Sequence, residues 1–293
     1  EVLLNLGQLD AAESWLGRAE WLGLDRAQAD FFRGTLASRR RRLAEAARWL
    51  RSAAAAGYAP AEVKRAQRVV LAQAGRFAEL GGQGVELLAH PGADAAGIYR
   101  RFVLYALANG LTGDAEKVIA RWREQFPAEA DPVRFAGLVA TIENDWQAAE
   151  KAYRRGHELA ADDHQILRSL ASCLMNQLKF SEAKACWHKL LEADPESPAA
   201  VTGLADCQSK LGDTAAAAAT LKAHAEAVAN DADAAALRGR VSRELQDHPE
   251  AVSWYEKANR LRPESTEIKR LLAQAYRLNG QADRAESLKP VVA

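Results

Sequence analysis

Six histidines are scattered singly through this chain of 293 residues, and its three cysteines are Cys173, Cys186 and Cys207. Neither set has the spacing of a common metal site or redox pair. Cys186-Trp187-His188 brings a thiol and an imidazole close in sequence, but residues two apart on a helix do not share a face. Gly81-Gly82-Gln83-Gly84 offers backbone amides. A phosphate-cradling loop, however, also needs a preceding strand and a Lys-Ser/Thr ending, and both are missing. No nucleophile–base pair can be argued from spacing. The expectation is a chain that is not an enzyme, with no catalytic residue, metal ligand or cofactor. The cysteines read as small buried apolar residues.

Arginine behaves differently. Arg65, Arg100, Arg134 and Arg168 follow one another at steps of 35, 34 and 34 residues. A guanidinium is a planar fork of donors suited to carboxylates and phosphates, so arginines at a fixed period would make a ladder of anion-binding groups if the scaffold brought them to one face. The period belongs to the whole chain. Ala12, Ala46, Leu80, Ala115, Ala149, Ala183, Ala217, Ala251 and Ala285 fall 34 residues apart at every step but one, which is 35. A small apolar residue recurring at that interval implies a stack of near-identical units.

Aligned on that residue, each unit reads as two helices and a turn. In the unit from His164 to Pro195, Leu167, Leu170, Ala171 and Leu174 form one apolar stripe at helical spacing. A polar turn runs from Gln177 to Lys179. Phe180, Ala183, Trp187 and Leu190 form the second stripe, and Pro195 ends the unit because proline cannot continue a helix interior. Neighbouring units repeat the plan: Tyr99, Phe102, Val103 and Ala106 lead through Asn109-Gly110 to Ala115, Ile119 and Trp122. Only a small residue at the recurring position lets two helix backbones approach, and the larger Tyr153, Trp187 and Tyr255 fill the wider gaps beside the crossing. Trp15, Trp49, Trp122, Trp187 and Trp254 lie on second helices and read as core packing.

This pattern resembles the tetratricopeptide repeat, a helical hairpin of 34 residues, with His164–Pro195 and Asp233–Pro263 the closest matches. The resemblance spans nearly the whole chain. It implies an all-α, right-handed superhelical solenoid of about nine helix-turn-helix repeats, a single array over residues 1–293 that binds protein segments in a concave groove lined by first helices. The period places Glu1 partway along a first helix, so residues 1–24 form a partial repeat and the chain is expected to be a processed or partial product. Residues 81–97, with His90-Pro91-Gly92, read as an irregular break that either bends the stack or merely shortens a helix. Residues 98–293 match best. Pro290 would cut off the final helix, leaving Ser287–Ala293 as a short tail at a poorly capped end.

The resemblance also implies which positions face the groove. Fifteen residues before the recurring alanine stand Arg65, Arg100, Arg134, Arg168, Thr202, Ala236 and Arg270, with Arg240, Arg243 and Arg277 at nearby groove-facing sites. These eight arginines are the candidate partner-binding residues, suited to an acidic or extended segment. The alternative is that they pair with acids of the same groove, such as Glu62, Asp131, Asp206, Asp233 and Glu267, for about 0–1 kcal/mol per pair. The Lys and Asn clamp that some members use for a terminal carboxylate is not supported, because no Asn stands at the required site. Arg39-Arg40-Arg41-Arg42 reads as a solvated turn or as a docking patch for an acidic partner.

Composition narrows the function further. The formal net charge is zero, so no global field draws the chain to nucleic acid or an anionic membrane. The basic run also lacks the interleaved aromatics of a nucleic-acid site. No run of 18 apolar residues is present, so no membrane span is expected. The expected function is a non-catalytic scaffold for a protein or peptide partner within a larger complex. Two alternatives are a structural subunit held by its edges and ends, and an envelope scaffold in polysaccharide export. A soluble chain fits either a bacterial cytoplasm or a periplasm.

Overall fold

The computed structural model describes residues 2–83 and 95–288. Among the described residues there are helices and turns and no strand. They pack as two compact units, Glu1–Val139 and Ala140–Ala293, and the division falls within the helix Asp131–Ile142. The first unit opens with the short turn Val2–Asn5. It continues through Leu9–Trp21, Arg26–Arg39, Leu43–Ala55, Pro60–Gln73, Ala95–Ala108 and Thr112–Gln125. The second unit contains Trp146–Leu159 and then four hairpins. These are His164–Asn176 with Phe180–Ala193, Pro198–Lys210 with Thr214–Ala223, Ala232–Glu244 with His248–Leu261, and Thr266–Leu278 with Ala282–Glu286. Each unit is an all-α stack of helical hairpins. The third hairpin departs from the plan, because Phe77–Gln83 forms a 3-10 helix where a second α-helix is expected. The rest of that stretch, including His90-Pro91-Gly92, lies outside the described residues through 94, as does Pro290.

A left-handed residue closes the first helix of each hairpin. Five positions before the recurring alanine the backbone has positive φ in every unit, whether the residue is glycine, as at Gly110 and Gly212, or not, as at Arg41 (φ 61°), Asn144 (61°), Leu178 (61°) and Gln246 (64°). The hydrogen bonds show why. At the end of His164–Asn176, the Lys179 amide donates to the Leu174 carbonyl at 2.9 Å and the Leu178 amide to the Met175 carbonyl at 3.0 Å. Asp213 and Gly212 repeat those bonds onto Gln208 and Ser209 at 2.9 and 3.0 Å. This arrangement satisfies the last helical carbonyls and turns the chain back, and it requires the left-handed conformation at its centre. In three hairpins the next helix then starts on a side-chain cap: Asp145, Asp213 and Asp247 each accept the amide of the third residue of the following helix.

The small-residue row sits at the crossing of each hairpin. Ala46, Ala115, Ala149, Ala183, Ala217 and Ala251 have no exposed surface at all. Opposite them, close approach is carried by glycine in two units: a Cβ on Gly34 would lie 2.8 Å from Leu50, and one on Gly239 2.9 Å from the Tyr255 ring. The large partners fill what remains. In the first unit the fully buried Trp122 lies between Tyr99 and Phe135, with ring centroids at 5.9 and 5.8 Å. Burying side chains of this kind contributes roughly 1.5–3 kcal/mol each. First helices of successive hairpins touch one another, as His164–Asn176 does Pro198–Lys210 and Pro198–Lys210 does Ala232–Glu244.

Hairpins are also tied through polar groups. The Glu150 carboxylate receives Lys179 Nζ at 2.6 Å, Gln177 Nε2 at 2.8 Å and Arg154 Nε at 2.9 Å. Lys179 and Gln177 flank the left-handed Leu178, so this carboxylate holds the next hairpin's turn in place. Burial works to raise the Glu150 pKa, but the three donors outweigh it and bring it from 4.5 to about 2.

Two measurements test these features. Leu178 is 73% exposed, so Leu178→Gly removes left-handed strain without a packing loss and should raise unfolding stability in urea by about 1 kcal/mol. Gly212→Ala should lower it by a similar amount. For Glu150 the folded pKa lies below the unfolded one, so its contribution is present above pH 4.5 and is lost as pH falls toward 2. The melting temperature of the wild type should therefore fall more steeply than that of Glu150→Gln across that window.

Candidate functional site

On each first helix, three positions separated by four and three residues share a face. In the second unit these rows read Arg168, Thr202, Ala236 and Arg270; then Ser172, Asp206, Arg240 and Gln274; then Met175, Ser209, Arg243 and Arg277. Polar links run between successive helices along them. Arg240 bonds to Asp206 and stands 3.8 Å from Glu244. Ser209 donates to Glu244 at 2.8 Å, and Arg243 donates to the neutral Gln274 carbonyl oxygen at 3.1 Å. Arg270 forms a two-point pair with Glu267 on its own helix at 2.6 and 2.9 Å. Arg168 and Arg277 are exposed and have no ion-pair partner among the described residues.

The arginines of the first unit are a separate group. Arg100 and Arg134 converge on Asp131, which accepts Arg134 Nη2 at 2.9 Å and Nε at 3.1 Å. The Arg134 guanidinium also lies over the Phe135 ring at 4.2 Å. Arg65 is exposed without an ion-pair partner among the described residues, while Glu62 receives the Tyr58 hydroxyl at 3.3 Å. Of the acids expected to compete for arginine, Asp131, Asp206 and Glu267 do so, and Asp233 pairs with Arg262 instead.

The second unit has a hollow of about 460 Å³ where the arginine row is interrupted. Thr202 and Ala236, the two residues without a guanidinium, form its mouth. Met175, Trp187, Leu237 and Leu271 give apolar walls, and Asp206, Asp233 and Arg240 stand at the lip. Four successive first helices contribute, together with Trp187 from a second helix. Trp187 is 4% exposed and donates its Nε1–H to Met175 Sδ at 3.2 Å. It reaches the first-helix side because Gly203 has no side chain: a Cβ there would lie 2.3 Å from Trp187 Cε2. Sequence reasoning assigned Trp187 to packing alone and missed the hollow. Its signal was the gap in the ladder, two small residues at consecutive units where arginine otherwise recurs.

Other candidates resolve into structure. Arg40 is bound to Glu13 at 2.7 Å and Asp10 at 2.5 Å, Arg42 lies 3.7 Å from Glu45, and Arg41 is the left-handed turn residue. Two of the four arginines in the basic run thus meet the chain's own acids. Trp122 and Trp187 are core, but Trp15 is 59% exposed, which corrects its assignment to packing. Trp15, Trp49 and Trp254 all stand three residues after the recurring alanine rather than four or seven. That turns them toward the hairpin's rim, where arginines cover their rings: Arg33 at 4.8 Å from Trp49 and Arg238 at 3.7 Å from Trp254. All three cysteines are free thiols, and burial raises each pKa, that of Cys207 to about 12. Among the described residues no group of His, Cys, Asp and Glu is placed to hold a metal ion, and no helix is long and apolar enough to cross a membrane.

The repeat geometry has a direct counterpart in known families. Two tetratricopeptide-repeat models match residues 179–241 and 232–265. Residues 179–265 carry tetratricopeptide repeats. Its fold is similar to that of PilW, a widely conserved type IV pilus biogenesis factor, at 17% identity and a TM-score of 0.60 over 66% of this chain and 89% of that one. It is also similar to that of PilF from Pseudomonas aeruginosa, at 17% identity and a TM-score of 0.57 over 65% and 86%. A MamA RS-1 double mutant is similar at 15% identity and a TM-score of 0.54 over 59% and 98%. At these identities the likeness is one of fold. No curated protein sequence matches the chain.

The Gly203–Trp187 contact is open to a direct measurement. Gly203→Ala should cost about 1–3 kcal/mol in urea unfolding through overpacking. Gly17→Ala, at a helix position with nothing within 4 Å, should stabilise by about 0.5–1 kcal/mol.

Proposed function

We propose that this tetratricopeptide-repeat chain is a non-catalytic protein-interaction scaffold that holds an extended segment of a partner along its first helices. The supporting observation is the hollow in the second unit, whose walls are apolar and whose lip carries ordered polar groups. Binding sites for flexible segments have this composition: buried apolar contact supplies affinity, and a few fixed polar groups supply orientation. The first helices are braced by the Asp206–Arg240, Ser209–Glu244 and Arg243–Gln274 links, so the surface is preorganised and little ordering entropy is lost on binding. Arg65, Arg100, Arg134, Arg168, Arg240, Arg243, Arg270 and Arg277 are proposed as partner contacts in two classes. Arg65, Arg168 and Arg277 are open to a ligand. Arg100, Arg134, Arg240 and Arg270 would exchange or share their carboxylates, and Arg243 its amide.

A second reading, a subunit held by its ends within a larger assembly, is favoured by one observation: Trp15, Trp21 and Leu22 are 59%, 85% and 75% exposed. The pilus-biogenesis role belongs to PilW, and it makes such an assembly a reasonable setting to examine.

Selection of displayed random peptides on the purified chain, followed by calorimetric titration of the winners, tests the first reading. Ala236→Trp should block the hollow and weaken the selected peptides at least tenfold, with helicity by circular dichroism unchanged. Selected peptides that bind Ala236→Trp as well as the wild type would place recognition elsewhere.

A further inference from the structure

In the second unit the first helices carry most of the excess positive charge, while the second helices, with nine Lys and Arg against eight Asp and Glu, are near balance. The first helices His164–Asn176, Pro198–Lys210, Ala232–Glu244 and Thr266–Leu278 carry eight Lys and Arg against four Asp and Glu, in a chain whose formal net charge is zero. The pairing sharpens the imbalance. Asp206 is taken by Arg240, Asp233 by Arg262 and Glu267 by Arg270. Of the guanidinium groups on these four helices, Arg168 and Arg277 have no ion pair among the described residues, Arg243 has only a neutral amide as partner, and Arg238 is turned away over the Trp254 ring.

Resting on the scaffold reading, we infer that the segment it takes has a defined pattern: one bulky apolar side chain with carboxylates a few residues to either side. The apolar side chain enters between Thr202 and Ala236, onto Trp187, Leu237 and Leu271. The carboxylates meet Arg168 on one flanking first helix and Arg277 on the other, with Arg243 about two turns along the helix of Ala236 itself. The spacing follows from the repeat. Adjacent helices pack about 8–10 Å apart, and an extended chain advances about 3.3 Å per residue, so one repeat corresponds to about three ligand residues. Unpaired guanidinium groups lose little on meeting a carboxylate, because no existing ion pair has to be broken first. The interruption of the ladder at Thr202 and Ala236 therefore sets register: a segment acidic throughout leaves the hollow unfilled, and an apolar segment without acids leaves the three cations unused.

The probe is a fluorescein-labelled peptide in a Gly-Ser background, with one leucine at its centre and glutamates three and four residues to each side. Anisotropy titration with the full chain should show saturable binding. Replacing the glutamates by glutamine, or the leucine by serine, should weaken it at least tenfold. Raising salt from 50 to 200 mM should weaken the acidic peptide alone. Arg168→Glu with Arg277→Glu, both exposed and unpaired, should reproduce the glutamine effect without loss of helicity. If the glutamine peptide binds as well as the acidic one and the double variant changes nothing, the charge pattern is wrong while the hollow stands. If no peptide of the set binds although displayed random peptides do, the pattern is also wrong. Failure of both the set and the random selection removes the scaffold reading itself.

Discussion

Everything in this structure depends on how closely two helix backbones can cross. The recurring alanine, fully buried in six of the nine units, admits that approach, and glycine at Gly34 and Gly239 carries it further. A methyl group is what the crossing tolerates. Once backbones meet there, the flanking volume must be filled, and Leu50, Trp122, Tyr153, Trp187 and Tyr255 fill it. The left-handed residue five positions earlier is the second half of the same constraint. It closes the first helix and returns the chain at the angle the crossing needs, and four units accept the strain of a side-chain-bearing residue to keep it.

Surface chemistry follows from that regularity. Because first helices of successive hairpins touch, a residue at a given position lies beside its counterpart in the next unit. Hydrogen bonds across 34 or 35 residues are the result: Arg240 to Asp206, Ser209 to Glu244, and in the first unit Ser38 to Gln73 at 2.8 Å. The same adjacency makes an interruption consequential. Two successive small residues, Thr202 and Ala236, leave a hollow instead of two isolated dents, and Gly203 lets Trp187 line it from beneath. Arginines that look equivalent along the sequence thus differ in what they can do. Arg100 and Arg134 are committed to Asp131, whereas Arg168 and Arg277 remain available.

The hairpins, their turns and the small-residue row were legible in the sequence because each is a local or strictly periodic matter. Helical stripes at three and four residues and a fixed period report backbone geometry directly, and a stack of equal units has few ways to be assembled. The third hairpin's 3-10 segment, Phe77–Gln83, begins before the glycines at which the sequence marks a break. The pairing state of each arginine and the existence of the hollow were decided only by tertiary structure. Whether Asp233 serves an arginine of the groove or Arg262 depends on side-chain reach between neighbouring helices, which period alone does not encode. Whether Trp187 is purely core or also a wall depends on one missing Cβ in the next hairpin, and a rotation of one residue separates it from the rim-facing Trp49 and Trp254. Periodicity determines which residues are equivalent; packing between units determines which of those equivalents are spent on the fold and which are left to meet a partner.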